Sequence, residues 1–147
     1  MIKSVFQRIS PGINTAQLNV GWFAINHSFI KDKRSRRDSY SKLYRLKSKH
    51  GSIFRHIRFS PNLKGEKIDK ENNIIQNPQL LIDWSGWMKL TNIENEKDNI
   101  EIEMSKANFF QIFYYSDTHP DPAYRHSMLI SRIGLYLGII SLILAFK

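Results

Sequence analysis

The sequence predicts an α+β protein: a small β-rich extramembrane region, arranged as an antiparallel meander, carried on a single C-terminal transmembrane helix. Three observations predict it. Residues 128–147, MLISRIGLYLGIISLILAFK, are apolar with one internal charge. Residues 80–115 contain three apolar segments separated by short polar turns. The positive charge is concentrated in residues 1–70, which hold sixteen Lys and Arg against four Asp and Glu.

From Met128 to Phe146 a helix rising about 1.5 Å per residue reaches ~28 Å, close to the ~30 Å hydrocarbon core of a bilayer. Arg132 lies near its start, where the side chain can bend back to the headgroups, and Lys147 closes it. Ser131, Gly134, Gly138, Ser141 and Ala145 recur at spacings of three and four, so they share one helix face. Small residues let a second helix backbone come close, and this face is the expected helix-packing site. The positive-inside rule sets Arg125 and Arg132 against Lys147, which places the bulk of the chain on the cytoplasmic or matrix side. That is the topology of a tail-anchored protein.

The 147 residues carry a net charge of +9. Residues 71–147 carry six basic against nine acidic side chains, so the positive field belongs to the first half, whose partners should be anionic. The absence of cysteine excludes a disulfide framework, thiolate metal sites and a cysteine nucleophile.

Along the chain, residues 1–12 form a basic, acid-free segment. Ile2, Val5, Phe6 and Ile9 fall at helical spacing, the character of a retained targeting segment, an interfacial helix or an amphipathic terminus packed on its own domain. Residues 13–60 form a basic, partly β region. Within it, Lys31, Lys33, Arg34, Arg36, Arg37, Lys47 and Lys49, with Arg125 and Arg132 further on, are the expected contacts to lipid or an acidic partner. Basic side chains interleaved with Tyr40, Tyr44 and Phe54 also fit a nucleic-acid surface, but no known module pattern is met. Residues 61–79 read as an extended linker.

The meander is expected over residues 80–115. Leu80, Ile82, Trp84, Met88 and Leu90 share one face of a first strand, with Gly86 at a bulge or close approach. Ile100, Ile102 and Met104 alternate with Glu101 and Glu103, and Phe109–Tyr115 supplies a third strand. Trp84 and Trp87 then face opposite ways, with Trp87 assigned as an interface aromatic beside Tyr124. Residues 116–127, stiffened by Pro120 and Pro122, form an extended tether to the helix at residues 128–147.

Catalytic chemistry is not expected. The histidines at 27, 50, 56, 119 and 126 lack metal-site spacing, Glu101 and Glu103 read as a solvated face, and no phosphate loop or nucleophile elbow occurs. No cofactor or metal is expected, and no known family's motif residues are met. The resulting expectation is a non-catalytic, single-pass accessory subunit of a multi-subunit membrane complex. An energy-converting membrane is favoured, of respiratory-chain or ATP-synthase type. The mitochondrial inner membrane comes before the bacterial inner membrane. Its partners would be other membrane subunits and anionic lipids such as cardiolipin, with nucleic acid less favoured. The alternatives are a stand-alone membrane-anchored β-domain effector or sensor, and a membrane-tethered nucleic-acid or ribosome-binding protein.

Overall fold

The computed structural model describes residues 2–9, 18–68, 74–91 and 99–146, and the chain divides into two compact units, residues 1–107 and 108–147. Unit 1 contains β1 (Ile2–Ile9), β2 (Trp22–Asn26), α1 (Lys33–Ser39), β3 (Leu43–Lys47), β4 (Ser52–Ser60), β5 (Lys67–Ile68), β6 (Ile74–Gln76), β7 (Gln79–Ile82), α2 (Trp84–Thr91) and β8 (Asn99–Lys106). Six strands close into a barrel in the order β1-β7-β2-β4-β3-β8, while β5 and β6 pair separately. β1 runs parallel to β7 and β2 parallel to β4; the other barrel pairs are antiparallel.

Strand alternation decides which side chains enter the barrel. Phe23 and Ile25 of β2, Leu46 of β3, Ile53 and Ile57 of β4, Leu80 and Ile82 of β7, and Ile102 and Met104 of β8 meet in one core. This is the two-residue period of a strand with one face buried. Closure leaves the barrel no free edge, which removes a template for unwanted strand pairing. α2 adds Trp87 and Leu90 to the same core. Its C-terminal turn lies against the β3–β4 turn, where the Ser48 hydroxyl donates to the Leu90 carbonyl at 2.5 Å. A Cβ on Gly51 would sit 2.4 Å from the Lys89 carbonyl oxygen, so only glycine fits that turn.

The expected antiparallel meander does not form. Of its three strands, the first is only β7 and then becomes α2, the second is β8, and the third is a helix. β7 and β8 are not neighbours but flank β1 on either side. The helical turn after β7 has a local cause. Asp83 accepts from the Gly86 backbone N–H at 3.1 Å and caps the first turn, and Trp87, Leu90 and Thr91 are buried at helical spacing. A Cβ on Gly86 would meet the Asp83 carboxylate at 2.9 Å, so the expected close approach exists, but in a helix rather than at a bulge.

The N-terminal segment is likewise a strand and not a helix. Ser4 and Phe6 are buried and β1 pairs with both β7 and β8, so its apolar side chains answer to the barrel and not to helical spacing. The end of the expected N-terminal segment, residues 10–12, and the polar turn over residues 92–98 lie outside the described residues.

Unit 2 is an α-helical hairpin: α3 (Phe109–Thr118) and α4 (Pro122–Ala145), joined by three residues. Asn108 and Gln111 form a reciprocal capping box at the start of α3, with bonds of 2.9 and 3.0 Å. Asp121 caps α4, accepting from the Ala123 N–H at 2.9 Å, with Pro122 in the first helical position. The expected extended tether is therefore the end of α3, a short turn and the first turns of α4. Proline starts a helix here because its missing N–H would be unpaired there in any case.

Candidate functional site

α4 is the one helix among the described residues long and apolar enough to cross a membrane, with no residue of its apolar stretch buried. Ser131, Gly134, Gly138, Ser141 and Ala145 are all exposed. A Cβ on Gly134 or Gly138 would meet nothing within 4 Å, so this face is open. The Ser131 hydroxyl donates to the Ser127 carbonyl at 2.9 Å, which satisfies it within the helix. At 100° per residue, Arg132 lies roughly 140° round the helix from the middle of the small-residue face.

Arg132 does not stand alone. Its Nη1 donates to Asp117 Oδ1 at 2.6 Å, and Nη2 donates to the Phe113 carbonyl at 2.6 Å and to the Ser116 hydroxyl oxygen. The guanidinium also lies 3.9 Å from the centroid of the Phe113 ring. One end of α3 thus supplies a carboxylate, a carbonyl, a hydroxyl and a ring face to a single cation. The negative end of the α3 dipole adds to that attraction. The sequence expectation was an arginine reaching for headgroups; the structure pairs it inside the chain.

The turn between the two helices is aromatic. Tyr124 stacks on His119 at 4.1 Å between centroids, and Tyr115 meets His119 edge-on at 5.0 Å. His119 Nδ1 accepts from the Asp121 backbone N–H at 3.0 Å, which explains a buried histidine here without a metal. Tyr124 keeps partial exposure, and Arg125 is exposed on the first turn of α4.

Trp87, the expected interface aromatic, is a core residue at 4% exposure. Trp84 is the exposed one, and the Arg8 guanidinium lies 4.7 Å from its ring centroid. The exchange follows from the helix, because helical spacing turns Trp87 and not Trp84 toward Leu90 and the barrel.

In unit 1 the basic residues are partly brought together. Lys33, Arg36 and Arg37 of α1, with His27, Tyr40, Phe59 and Pro61, line an open groove with a volume of about 520 Å³. A smaller hollow of about 130 Å³ shares Tyr40 and adds Trp22 and Arg58. Trp22 contacts Tyr40 at 6.0 Å and His56 at 5.4 Å between centroids, which gives the patch an aromatic wall.

Asp32 sets the start of α1. Hydrogen bonds from the Ser35 hydroxyl and backbone N–H hold its carboxyl below the usual range. Arg36 is tied inward, its Nη1 donating to the carbonyls of Ile30 at 3.2 Å and His27 at 3.3 Å. Lys31 and Arg34 are exposed on the same segment but do not line the groove, and Lys47 and Lys49 sit at the end of β3 and in the turn after it.

Glu101 pairs with Lys3 at 3.0 Å, both side chains being largely exposed. Among the described residues, no three His, Cys, Asp or Glu side chains converge as a metal site would need. Sequence reasoning missed Asp117, Ser116 and Phe113 as partners of Arg132. Two signals were available: the Asn108–Gln111 capping box and the Asp121-Pro122 helix start, which together predict a tight helical hairpin.

No protein-family model matches the chain, and no curated protein matches it. Among solved structures, the apo-expansin of Clavibacter michiganensis aligns over 74% of this chain and 52% of that one, at 7% identity and a TM-score of 0.41. The chain spans about half the length of that structure, and likeness at this level decides neither fold nor function.

Proposed function

We propose that this chain is a non-catalytic, membrane-anchored subunit of a multi-subunit membrane complex, with α4 in the bilayer and the barrel outside it. The observation that carries the reading is the open small-residue face of α4 around Gly134 and Gly138. Lipid tails fill such a face poorly, whereas another helix backbone packs closely on it. Arg132, neutralised by α3, does not compete for that partner.

The barrel unit lies on the cytoplasmic or matrix side in this reading, following the positive-inside rule for Arg125 and Arg132. The basic patch of Lys31, Lys33, Arg34 and Arg37 then faces anionic headgroups or an acidic neighbour, with about 1 kcal/mol per cation near an anionic leaflet. A basic amphipathic N-terminus was one support, beside the small-residue face, the long connection and the missing chemistry, for the narrower choice of a respiratory or ATP-synthase type complex. The N-terminal segment is a barrel strand, so the proposal is held at the level of a membrane-complex subunit.

The test is extraction in a mild detergent followed by native sizing and identification of co-migrating proteins. A subunit runs with an assembly much larger than its own 17.3 kDa. A chain that runs alone in its micelle overturns the proposal. The groove supports a second reading, a membrane-tethered nucleic-acid binder, because Tyr40 and Phe59 stand beside Lys33 and Arg37.

A further inference from the structure

α3 has an unusual surface for a helix outside a membrane. From Ala107 to Ser116 the chain carries no charge. Phe109, Phe110, Ile112, Phe113 and Tyr114 are 76, 79, 51, 46 and 60% exposed. Among the described residues, unit 1 leaves only Val20, Tyr40 and Trp84 so exposed as large apolar side chains, and they are scattered. In α3 there are five within six positions. Phe109, Phe110, Phe113 and Tyr114 span an arc of roughly 140°, wide enough for the buried stripe of an amphipathic helix, and the buried Tyr115 and Ser116 fall outside it.

The geometry of Arg132 says what covers that arc. The uncharged stretch Ile133–Phe146 rises only about 21 Å as a helix, short of the ~30 Å hydrocarbon core. A spanning α4 must therefore begin several residues before Arg132, which draws the guanidinium inside the membrane boundary. Asp117, the Phe113 carbonyl and Ser116 go with it, because all three bind that guanidinium. The C-terminal end of α3 is then at or below headgroup level, and its ring-bearing side meets lipid.

The polar groups of α3 are prepared for scarce water. The capping box satisfies its first turn, the Ser116 hydroxyl donates to the Phe113 carbonyl at 2.6 Å, and the Thr118 hydroxyl donates to the Tyr115 carbonyl at 3.4 Å. Phe and Tyr suit the interface, where aromatic belts form.

We propose that α3 is a second membrane element, an interfacial helix whose Phe109, Phe110, Phe113 and Tyr114 enter the outer acyl region of the leaflet that α4 enters. It serves as the internal counter-charge and cover for Arg132. The proposal rests on the reading of α4 as a spanning helix.

The chain contains no cysteine, so single cysteines can carry a nitroxide label without a background. Phe110→Cys, Leu137→Cys and Lys49→Cys are made in the full chain, labelled, and reconstituted in vesicles of phosphatidylcholine with an anionic phospholipid. Collision with oxygen, which concentrates in lipid, is compared with collision with a water-soluble nickel chelate. At position 110 oxygen should dominate, as at position 137, while the chelate dominates at 49. Chelate dominance at 110 would place α3 in water, and shielding from both would mean protein covers it; either overturns the proposal. Chelate dominance at 137 as well would overturn the spanning reading of α4, and the proposal with it. Tyr114→Cys, on the same arc, repeats the measurement should the change at 110 disturb folding.

Discussion

Arg132 and Asp117 meet at 2.6 Å across fifteen residues of sequence, and the pair ties the long apolar helix α4 to the helix before it. Asp117→Asn keeps the shape but leaves the cation without its counter-charge, whereas Arg132→Met removes the need for one. The expected loss for Asp117→Asn is on the order of 2 kcal/mol. That lies between exposed pairs, below about 1, and buried pairs, about 3–5. Arg132→Met should cost less, and the double variant should resemble Arg132→Met alone. Amide hydrogen exchange over α3 in detergent or vesicles reads the difference. Equal protection in all three would show that the pair does not hold the hairpin together.

A second prediction separates anchor from packing face. Gly134 and Gly138 have open space where a side chain would go, so Gly138→Leu should leave the isolated chain as stable as Ile139→Leu does. In the native membrane the two should differ, with Gly138→Leu losing most of its co-migration with the larger assembly and Ile139→Leu keeping it. Equal retention would leave α4 a plain anchor.

Among the described residues, Arg55 and Asp83 form the one ion pair that reaches the barrel core. The Arg55 side chain is 5% exposed and its Nε lies 3.4 Å from the Asp83 carboxylate. Burial pushes the Asp83 carboxyl up, but the Ser85 hydroxyl, the Arg55 guanidinium and the Gly86 N–H together hold it below the ordinary range. A folded value below the unfolded one, about 3.9, means the stabilisation is complete above that pH and is lost as pH falls through the lower folded value. Asp83→Asn should cost about 2–4 kcal/mol near neutral pH, because it strands Arg55 and weakens the α2 cap. Below pH ~4 the gap to the wild type should narrow. Acid and urea unfolding followed by tryptophan fluorescence measures both, since Trp22, Trp84 and Trp87 all lie in unit 1.

The basic patch on and before α1 makes a graded prediction. Neutralising Lys31, Lys33, Arg34 and Arg37 in turn should weaken binding to anionic vesicles stepwise, and added salt should do the same to the wild type. Arg36 should differ: Arg36→Gln also removes the bonds to the His27 and Ile30 carbonyls, so it should lower stability by about 1–2 kcal/mol. If Tyr40→Ala and Phe59→Ala abolish RNA binding while vesicle binding is kept, the nucleic-acid reading gains over the lipid one.

The sequence by itself determined the parts that depend on local composition. A run of apolar residues with one cation near its start is a helix that can cross a membrane, whatever surrounds it, because length and hydropathy are properties of the run. The alternation in Asn99–Lys106 was legible for the same reason, as was the basic character of the first half. Tertiary structure decided what depends on distant partners. Ile2, Val5, Phe6 and Ile9 fit a helix by spacing, yet β1 is a strand because β7 and β8 offer their backbone groups on both sides. Trp84 and Trp87 exchange roles because Asp83 can cap a turn whose other face fits the barrel core. Arg132 was visible as a charge to be accommodated, but its partner was not. Nothing in a charge pattern says that a carboxylate fifteen residues earlier will be folded back beside it; only the short turn between α3 and α4 does that.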